Sequence, residues 1–261
     1  MTRSARGALA ALIALAVLAV VVPPLATTDP LAIGDAVGAR LVAPFSRDAS
    51  GAFHLVGTDR FGRDILVRML LAARISLAVG IGGSLLATLL GIAVGAVSGW
   101  RRGGVDRAAM ALCDTLLAVP RLILLLLCAA LWRPGAATVV LVLALTGWMS
   151  VARLVRAEVM ALRTRAFVEG ARAMGVGHWR TLWRHVLPNA LGPAIVALTL
   201  GVGNAILLES GLAFLGLGIQ PPTPSWGNML SDSQRVWSQS AALVLLPGLC
   251  IYITVFAINL V

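Results

Sequence analysis

The sequence predicts an all-α integral membrane protein with six spans. Two observations carry this. The chain of 261 residues is 59% hydrophobic with only 12% charged residues, and its mean hydropathy is +0.93, more apolar surface than one soluble core of that length could bury. Its apolar residues also come in long runs. A bilayer span takes ~20 of them, and six segments qualify or nearly do: roughly 8–26, 75–99, 108–132, 135–152, 186–208 and 241–261. Residues 1–261 therefore read as a single transmembrane domain. The first segment, behind Arg3 and Arg6, also fits a cleaved signal peptide. We read it as a span, because the five others already make the chain an integral membrane protein.

The connections follow in order. Residues 27–74 form a polar segment holding Pro30, Pro44 and several aspartates, and it ends in an amphipathic run from Phe61 to Leu71. Residues 153–185 form a second polar stretch. Residues 216–240 form a third, whose Pro221, Pro222 and Pro224 forbid a regular helix there. Arginine counting sets the orientation. With the N-terminus inside, the inside segments carry twelve arginines and three acids, and the outside segments carry eight arginines and six acids. Both termini and residues 153–185 are thus expected in the cytoplasm, with 27–74 and 216–240 outside.

Composition excludes several functions. All 21 basic residues are arginine. Without lysine there is no Walker A phosphate loop and no Schiff-base chemistry. The net charge of +10 lacks the solvated basic face that nucleic acid requires. Cys113, Cys128 and Cys250 lie far apart in apolar runs without a C-x-x-C pair, so they read as small hydrophobes, and neither a disulfide framework nor a metal site is signalled. The three histidines lie outside the spans or at a boundary and accompany no G-x-S-G nucleophile motif, so no catalytic residue is assigned.

Inside the spans, Gly83, Ala87, Gly91, Gly95 and Gly99 place a small residue at every fourth position. That stripe predicts close approach by another helix. Asp114 and Arg121 are seven residues apart, two turns along one helical face, and could line a translocation path. The alternative is that the third span begins near Leu116, leaving Asp114 interfacial and Arg121 snorkelling. Glu209 lies 21 residues beyond Pro188, about 30 Å along a helix. That depth fits a solvated helix end, an external gate or an interface carboxylate.

The stretch EGARAMGVGHWRTLWRHVLPNA, residues 169–190, sets polar and basic residues between apolar runs. Before the glycine turn, Val168, Ala171 and Met174 share a side. After Gly175 and Gly177, Trp179, Leu182, Trp183 and Val186 recur at i, i+3, i+4 and i+7. The pattern is helix, glycine turn, helix, with Glu169, Arg172, His178, Arg180 and Arg184 exposed, and with Pro188 as a kink or a fresh helix start. Periodicity alone leaves two readings open, an amphipathic loop on anionic headgroups and a protein-docking knob. The glutamate and the glycine turn favour the knob.

The same residues resemble a known signature. Glu169, Ala171, Gly175, Leu187 and Pro188 match the EAA loop of ABC-importer permeases, with Gly170 and His185 departing from the pattern. R-H-x-L-P-N, from Arg184 to Asn189, looks like the dipeptide subgroup. GTDRFGRDILVRMLLAARISLAVG, residues 57–80, and LAFLGLGIQPPTPSWGNML, residues 212–230, resemble the DppC/OppC type of subunit from dipeptide, oligopeptide and nickel importers. The chain departs from that pattern at Val261, where it stops inside an apolar run, and we expect a truncated C-terminus.

The resemblance implies a type I importer fold in a bacterial cytoplasmic membrane. It also implies a heterodimer with a homologous permease subunit, two ATPase domains that hold the ATP and magnesium, and an extracytoplasmic solute-binding protein that delivers short peptides. This chain would then hold no cofactor of its own. Arg172, His178, Trp179, Leu182 and Trp183 join the motif residues as candidates for ATPase coupling. Gln220, Trp226 and Asn228 become candidates for contact with the binding protein or the gate. Nickel chelates and haem are alternative cargoes, and an ion-coupled carrier or channel built on Asp114, Arg121 and Glu209 is the rival reading.

Overall fold

The computed structural model describes residues 3–26, 31, 38–234, 236 and 241–261. Residues 27–30 and 32–37 of the expected outside segment, and 235 and 237–240 of the expected outer loop, lie outside the described residues. The elements in order are α1 (Arg3–Leu25), β1 (Ser46–Arg47), β2 (Phe53–His54), α2 (Ile65–Arg101), α3 (Gly103–Ala118), α4 (Arg121–Ala130), α5 (Ala136–Leu162), α6 (Ala166–Ala173), α7 (His178–Thr181), a π-helical turn (Leu182–Val186), α8 (Leu187–Phe214), α9 (Trp226–Ser233) and α10 (Ala242–Leu260). Helices α1, α2, α5, the rod His178–Phe214 and α10 are each long and apolar enough to cross a membrane. Together, α3 and α4 would make a sixth span, bent by 92°.

Several boundaries reflect where helix breakers fall. Helix α2 joins the amphipathic run, from Ile65 onward, and the second apolar segment into one helix of 37 residues, because no proline or glycine occurs between Ile65 and Val79. Helix α5 runs ten residues past 152 through a stretch equally free of breakers. The third segment differs from the uniform helix expected. Pro120 has no amide hydrogen and disfavours the helical conformation at Val119, which is extended at φ −84°, ψ 129°. Asp114 and Arg121 therefore lie on opposite sides of a near right-angle break and do not share a helical face.

The chain forms two compact units. The first comprises Met1–Ile81, Ala129–Val139 and Val202–Val261. Its core gathers Ile65, Met69, Ala72 and Ala73 of α2, Ile206 of α8, Trp226 and Met229 of α9, Leu243 and Ile251 of α10, and Ala19 of α1. Its polar part is organised by the hairpin β1–β2, where Ser46 pairs with His54. His54 is buried with Nδ1 2.7 Å from Asp64 Oδ2 and Nε2 3.4 Å from Asp48 Oδ2. Asp64 Oδ1 also accepts from the Val67 amide (3.1 Å), so one carboxylate holds the hairpin and caps the start of α2. Gly57, at φ +91°, lets the backbone pass against the Val42 carbonyl, where any side chain would collide.

The second unit comprises Gly82–Cys128 and Val140–Gly201. Here the small-residue stripe meets α5. A Cβ at Gly83 would lie 2.9 Å from Leu143 Cβ, one at Gly91 2.6 Å from Val151 Cβ, and one at Gly99 2.8 Å from the Arg156 carbonyl oxygen. Gly147 of α5 faces Ala87 in the same way, at 3.0 Å. Arg156 then reaches α3, pairing with Asp106 through Nε (2.5 Å) and Nη2 (2.7 Å), the bidentate geometry of a strong charge-assisted contact. Between α2 and α3 the chain reverses through Arg102 and Gly103, both left-handed.

Two outcomes follow from this packing. Gly95→Val drives a side chain into the α5 backbone and is expected to destabilise by about 1–3 kcal/mol or more, whereas Gly104→Ala, in open space, is expected to melt as the parent does. Equal melting midpoints for Gly95→Val and the parent in detergent would refute the seam. For His54, burial alone lowers the pKa, but the hydrogen bonds and charges of Asp64 and Asp48 outweigh it and raise the value above 6.5. The protonated ring stabilises the fold, so the contribution is full below the unfolded value near 6.5 and is lost as pH rises through the folded pKa. The gap in melting midpoint between the parent and His54→Gln should shrink as pH rises from 5.5 to 8.5, and a pH-independent gap would count against the cluster.

Candidate functional site

The stretch singled out in the sequence folds into two short helices standing on the second unit. Helix α6 ends at Ala173 because Gly175 turns left-handed, at φ +80°. Gly175 N donates to the Arg172 carbonyl (2.9 Å) and Val176 N to that of Ala171 (3.1 Å), the paired bonds of a Schellman ending. Gly177 has φ −61°, ψ 148°, which any residue adopts, so the turn depends on one glycine and not on both. Thr181 then closes the next helix, bonding the Gly177 carbonyl through its amide (2.9 Å) and its hydroxyl (3.1 Å).

Pro188 neither stops the helix nor starts a new one. α7, the π-helical turn Leu182–Val186 and α8 run on as one rod. Proline cannot donate to the carbonyl of Arg184, and its ring would clash with that oxygen in an α-helical turn. The widened turn just before it relieves both problems.

The apolar faces of this segment point inward. Val168, Ala171, Leu182, Val186 and Leu187 are buried with Ala96, Trp100, Val155 and Val159. Of the candidates for coupling, Ala171, Leu182 and Leu187 are thus core residues. Glu169, Arg172, Gly175, His178, Trp179, Trp183 and Pro188 are exposed. Trp183 remains 50% exposed and Met174 80% exposed, so neither joins the buried stripe its spacing suggested. Phe167 is exposed as well. The exposed residues of the segment include the large apolar groups Phe167, Met174, Trp179 and Trp183, the carboxylate of Glu169, and Arg172, Arg180 and Arg184.

What holds the segment in place is a residue that periodicity did not single out. Trp100, one residue before the end of α2, is fully buried. The Arg172 guanidinium lies 4.9 Å and that of Arg163 5.8 Å from its ring centre, and the His178 ring lies 4.9 Å away. Arg163 Nη1 also donates to the Trp100 carbonyl (3.0 Å), and Arg101 sits 5.3 Å from the Trp179 ring. Cation–π contacts contribute ~0.5–1 kcal/mol each at exposed sites and more when desolvated. The available signal was the run W-R-R-G-G closing an apolar span.

The remaining candidates are dispersed. Asp114 is exposed and pairs with Arg153 of α5. Arg121 opens α4 beside Gly147, with its buried Nε unpartnered among the described residues. Glu209 belongs to the first unit and is fully buried, so it is not at a solvated helix end. The Ser76 hydroxyl lies 3.4 Å from its Oε2 and also accepts from the Trp226 amide (3.2 Å). Trp226 itself is fully buried, its indole donating to the Met69 carbonyl (3.2 Å), so it packs the core and presents no contact surface. Asn228 is also turned inward. It forms a reciprocal cap with Ser225, and its amide nitrogen donates to the carbonyls of Thr223 (2.8 Å) and Ile219 (3.1 Å). Gln220 stays exposed, bonded to the Gly216 carbonyl at 3.0 Å.

Comparison with known proteins agrees with this architecture. Residues 87–261 match the family described as "binding-protein-dependent transport system inner membrane component". The chain is 38% identical over 207 residues to the glutathione transport system permease protein GsiD of Pectobacterium atrosepticum, covering 79% of this chain and 69% of that one. It is 38% identical over 208 residues to the oligopeptide transport system permease protein OppC of Bacillus subtilis (80% and 68%). It is also 38% identical over 220 residues to the di/tripeptide permease DppC of Pseudomonas aeruginosa (84% and 73%). Among solved structures it resembles a chain of the MetNI methionine ABC transporter, with a TM-score of 0.61 at 20% identity, over 75% of this chain and 93% of that one. This is the type I importer fold. The chain is a multi-pass inner-membrane protein, and it belongs to the family of inner-membrane components of binding-protein-dependent transport systems.

Proposed function

We propose that this chain is one of two homologous membrane subunits of an ATP-driven importer for short peptides, and that Ala166–Val186 is the surface through which cytoplasmic ATPase domains drive it. One observation carries the reading: a two-helix knob whose base is clamped on buried Trp100 and whose rim exposes Phe167, Glu169, Met174, Trp179 and Trp183. A helix lying on lipid needs its apolar face free. Here the apolar faces of α6 and of the turn after α7 are already spent on Ala96, Val155 and Val159. Exposed aromatic and apolar groups mixed with a carboxylate and arginines suit a protein socket. Because the knob continues through the π-helical turn into α8, movement at the rim is passed to a span without an intervening hinge loop.

The knob and both termini lie on the cytoplasmic side in this reading, as the arginine asymmetry requires. ATP and magnesium belong to the ATPase domains, since a chain without lysine lacks the phosphate-loop residue. An extracytoplasmic solute-binding protein delivers the cargo and sets most of its selectivity. Peptides are the favoured class because the relatives named above carry glutathione, oligopeptides or di- and tripeptides in their names. Nickel chelates and haem are the alternatives. The ion-coupled carrier is disfavoured by geometry, because Asp114 is paired with Arg153 and a right-angle break separates it from Arg121. Switching a two-state transporter from 1:99 to 99:1 takes about 5.5 kcal/mol, which a few desolvated aromatic anchors at an interface can supply.

The test is reconstitution with the copurifying ATPase, permease and binding-protein subunits, followed by peptide uptake. Glu169→Arg and Gly175→Leu, the latter straining a left-handed position, are expected to leave membrane insertion intact and cut uptake at least about tenfold, a loss of roughly 1.4 kcal/mol of coupling. Uptake at the parental rate in either variant contradicts the assignment. Trp100→Ala removes the anchor, a truncation that typically costs about 3–5 kcal/mol. It should speed tryptic cleavage after Arg165 and Arg172, and unchanged cleavage would show that Trp100 does not hold the knob.

A further inference from the structure

The carboxyl of Glu209 has too few partners for a charged group. It lies near the end of α8, fully enclosed within the first unit. Three hydroxyls face it, those of Ser76, Ser210 and Ser225, and each also serves a backbone group. Ser210 Oγ donates to the Ile206 carbonyl (2.9 Å), Ser225 Oγ accepts from the Asn228 amide (3.2 Å), and Ser76 Oγ accepts from the Trp226 amide (3.2 Å). Ser76 Oγ lies 3.4 Å from Glu209 Oε2, long for a hydrogen bond between oxygens. Oε1 is buried and has no hydrogen-bond partner among the described residues.

No cation answers this carboxyl either. The neighbouring elements carry Arg68 and Arg74 on α2, Asp232 on α9, and Cys250 and Tyr252 on α10, while α1 has no ionisable residue beyond Arg6. None of these is among the groups that act on Glu209, which are the three hydroxyls alone. Arg68 lies toward Asp59, Arg74 is exposed, and Asp232 meets Arg60. An isolated carboxylate in an apolar interior is costly enough that such a group takes up a proton instead. The neutral acid also fits the partners present. Its hydrogen needs one acceptor, and Ser76 Oγ keeps a lone pair beside the one used by the Trp226 amide. Oε1 is then an uncharged carbonyl oxygen, whose missing hydrogen bond costs less than that of a charged one.

We propose that Glu209 is a proton-binding site. At neutral pH it holds one proton, which neutralises the carboxyl and closes the link from α8 through Ser76 of α2 to the start of α9. The proton is a structural ligand of this three-helix contact, and neither the site nor its test depends on the cargo assigned above.

Infrared difference spectra of the assembled transporter, parent minus Glu209→Gln, separate the carbonyl stretch of a carboxylic acid from the bands of a carboxylate. At pH 7 an acid band is expected, and it should shift on exchange into deuterium oxide. Ser76→Ala removes the acceptor and should displace the band without abolishing it, so the proposal stays testable if Glu209→Gln folds poorly. Stability gives an independent reading. The folded form holds the proton more tightly than the unfolded chain, so rising pH favours unfolding. Relative to Glu209→Gln, the parent's melting midpoint should fall by roughly 3–5 °C per pH unit between pH 5.5 and 7, and the comparison cancels His54 and every other group common to both. A carboxylate band alone at pH 7, an acid band that Ser76→Ala leaves in place, or a midpoint gap that is constant over that range overturns the proposal. So does a carboxylate band that moves when sodium is replaced by choline, which would assign a metal ion in place of the proton.

Discussion

The close approach of α2 to α5 along Gly83, Ala87, Gly91, Gly95 and Gly99 is the constraint on which the second unit depends. Lipid tails supply no hydrophobic force between helices, so association rests on contact and on satisfied polar groups. Hydrogen in place of a side chain lets Val151, Val155 and Val159 of α5 lie directly on the α2 backbone. The seam also fixes what comes next. Trp100 follows Gly99 immediately, so the register that closes the seam delivers its indole to the place where α6 and α7 dock. The Arg163 and Arg172 guanidinium groups and the His178 ring gather around that indole.

Polar groups elsewhere tie elements together where packing alone would not. Arg156 spans from α5 to Asp106 of α3 with two bonds, and Asp114 meets Arg153 one turn away on the same helix. In the first unit, Ser76 of α2 links the Trp226 amide at the start of α9 to Glu209 of α8. Each is a contact between residues far apart in the chain, and the buried group around Glu209 is the kind of pairing that a low-dielectric surrounding makes costly to leave incomplete. His54 plays the comparable part in the polar segment, because Asp64, which it binds, also caps α2.

The proposed coupling by this knob would draw on the same physics. A socket partner can grip only what is exposed, and it can move a span only through what is rigid. The segment meets both needs with few residues, since α6 and the turn after α7 bury one face, Val168 and Ala171 and then Leu182 and Val186, while Phe167, Met174, Trp179 and Trp183 stay exposed. The π-helical turn before Pro188 keeps the rod continuous where an ordinary α-helical turn would be broken.

Much of this was legible in the residues themselves. Long apolar runs, the small-residue stripe and a glycine turn are local or periodic properties, and bilayer thickness and helical geometry act on them directly. They were enough for the fold class, for a close-packed α2 and for a two-helix loop carrying Glu169. The tertiary structure decided the matters that depend on which surfaces meet. Pro120 split the third segment because steric restriction at Val119 outweighed apolar periodicity. Trp226 and Asn228 turned inward because α9 packs on α2 and α10, and Trp179 and Trp183 stayed outside because the space at Trp100 was filled by Val168, Leu182 and Val186. Periodicity states which residues share a face, but only packing among distant segments determines which face is covered.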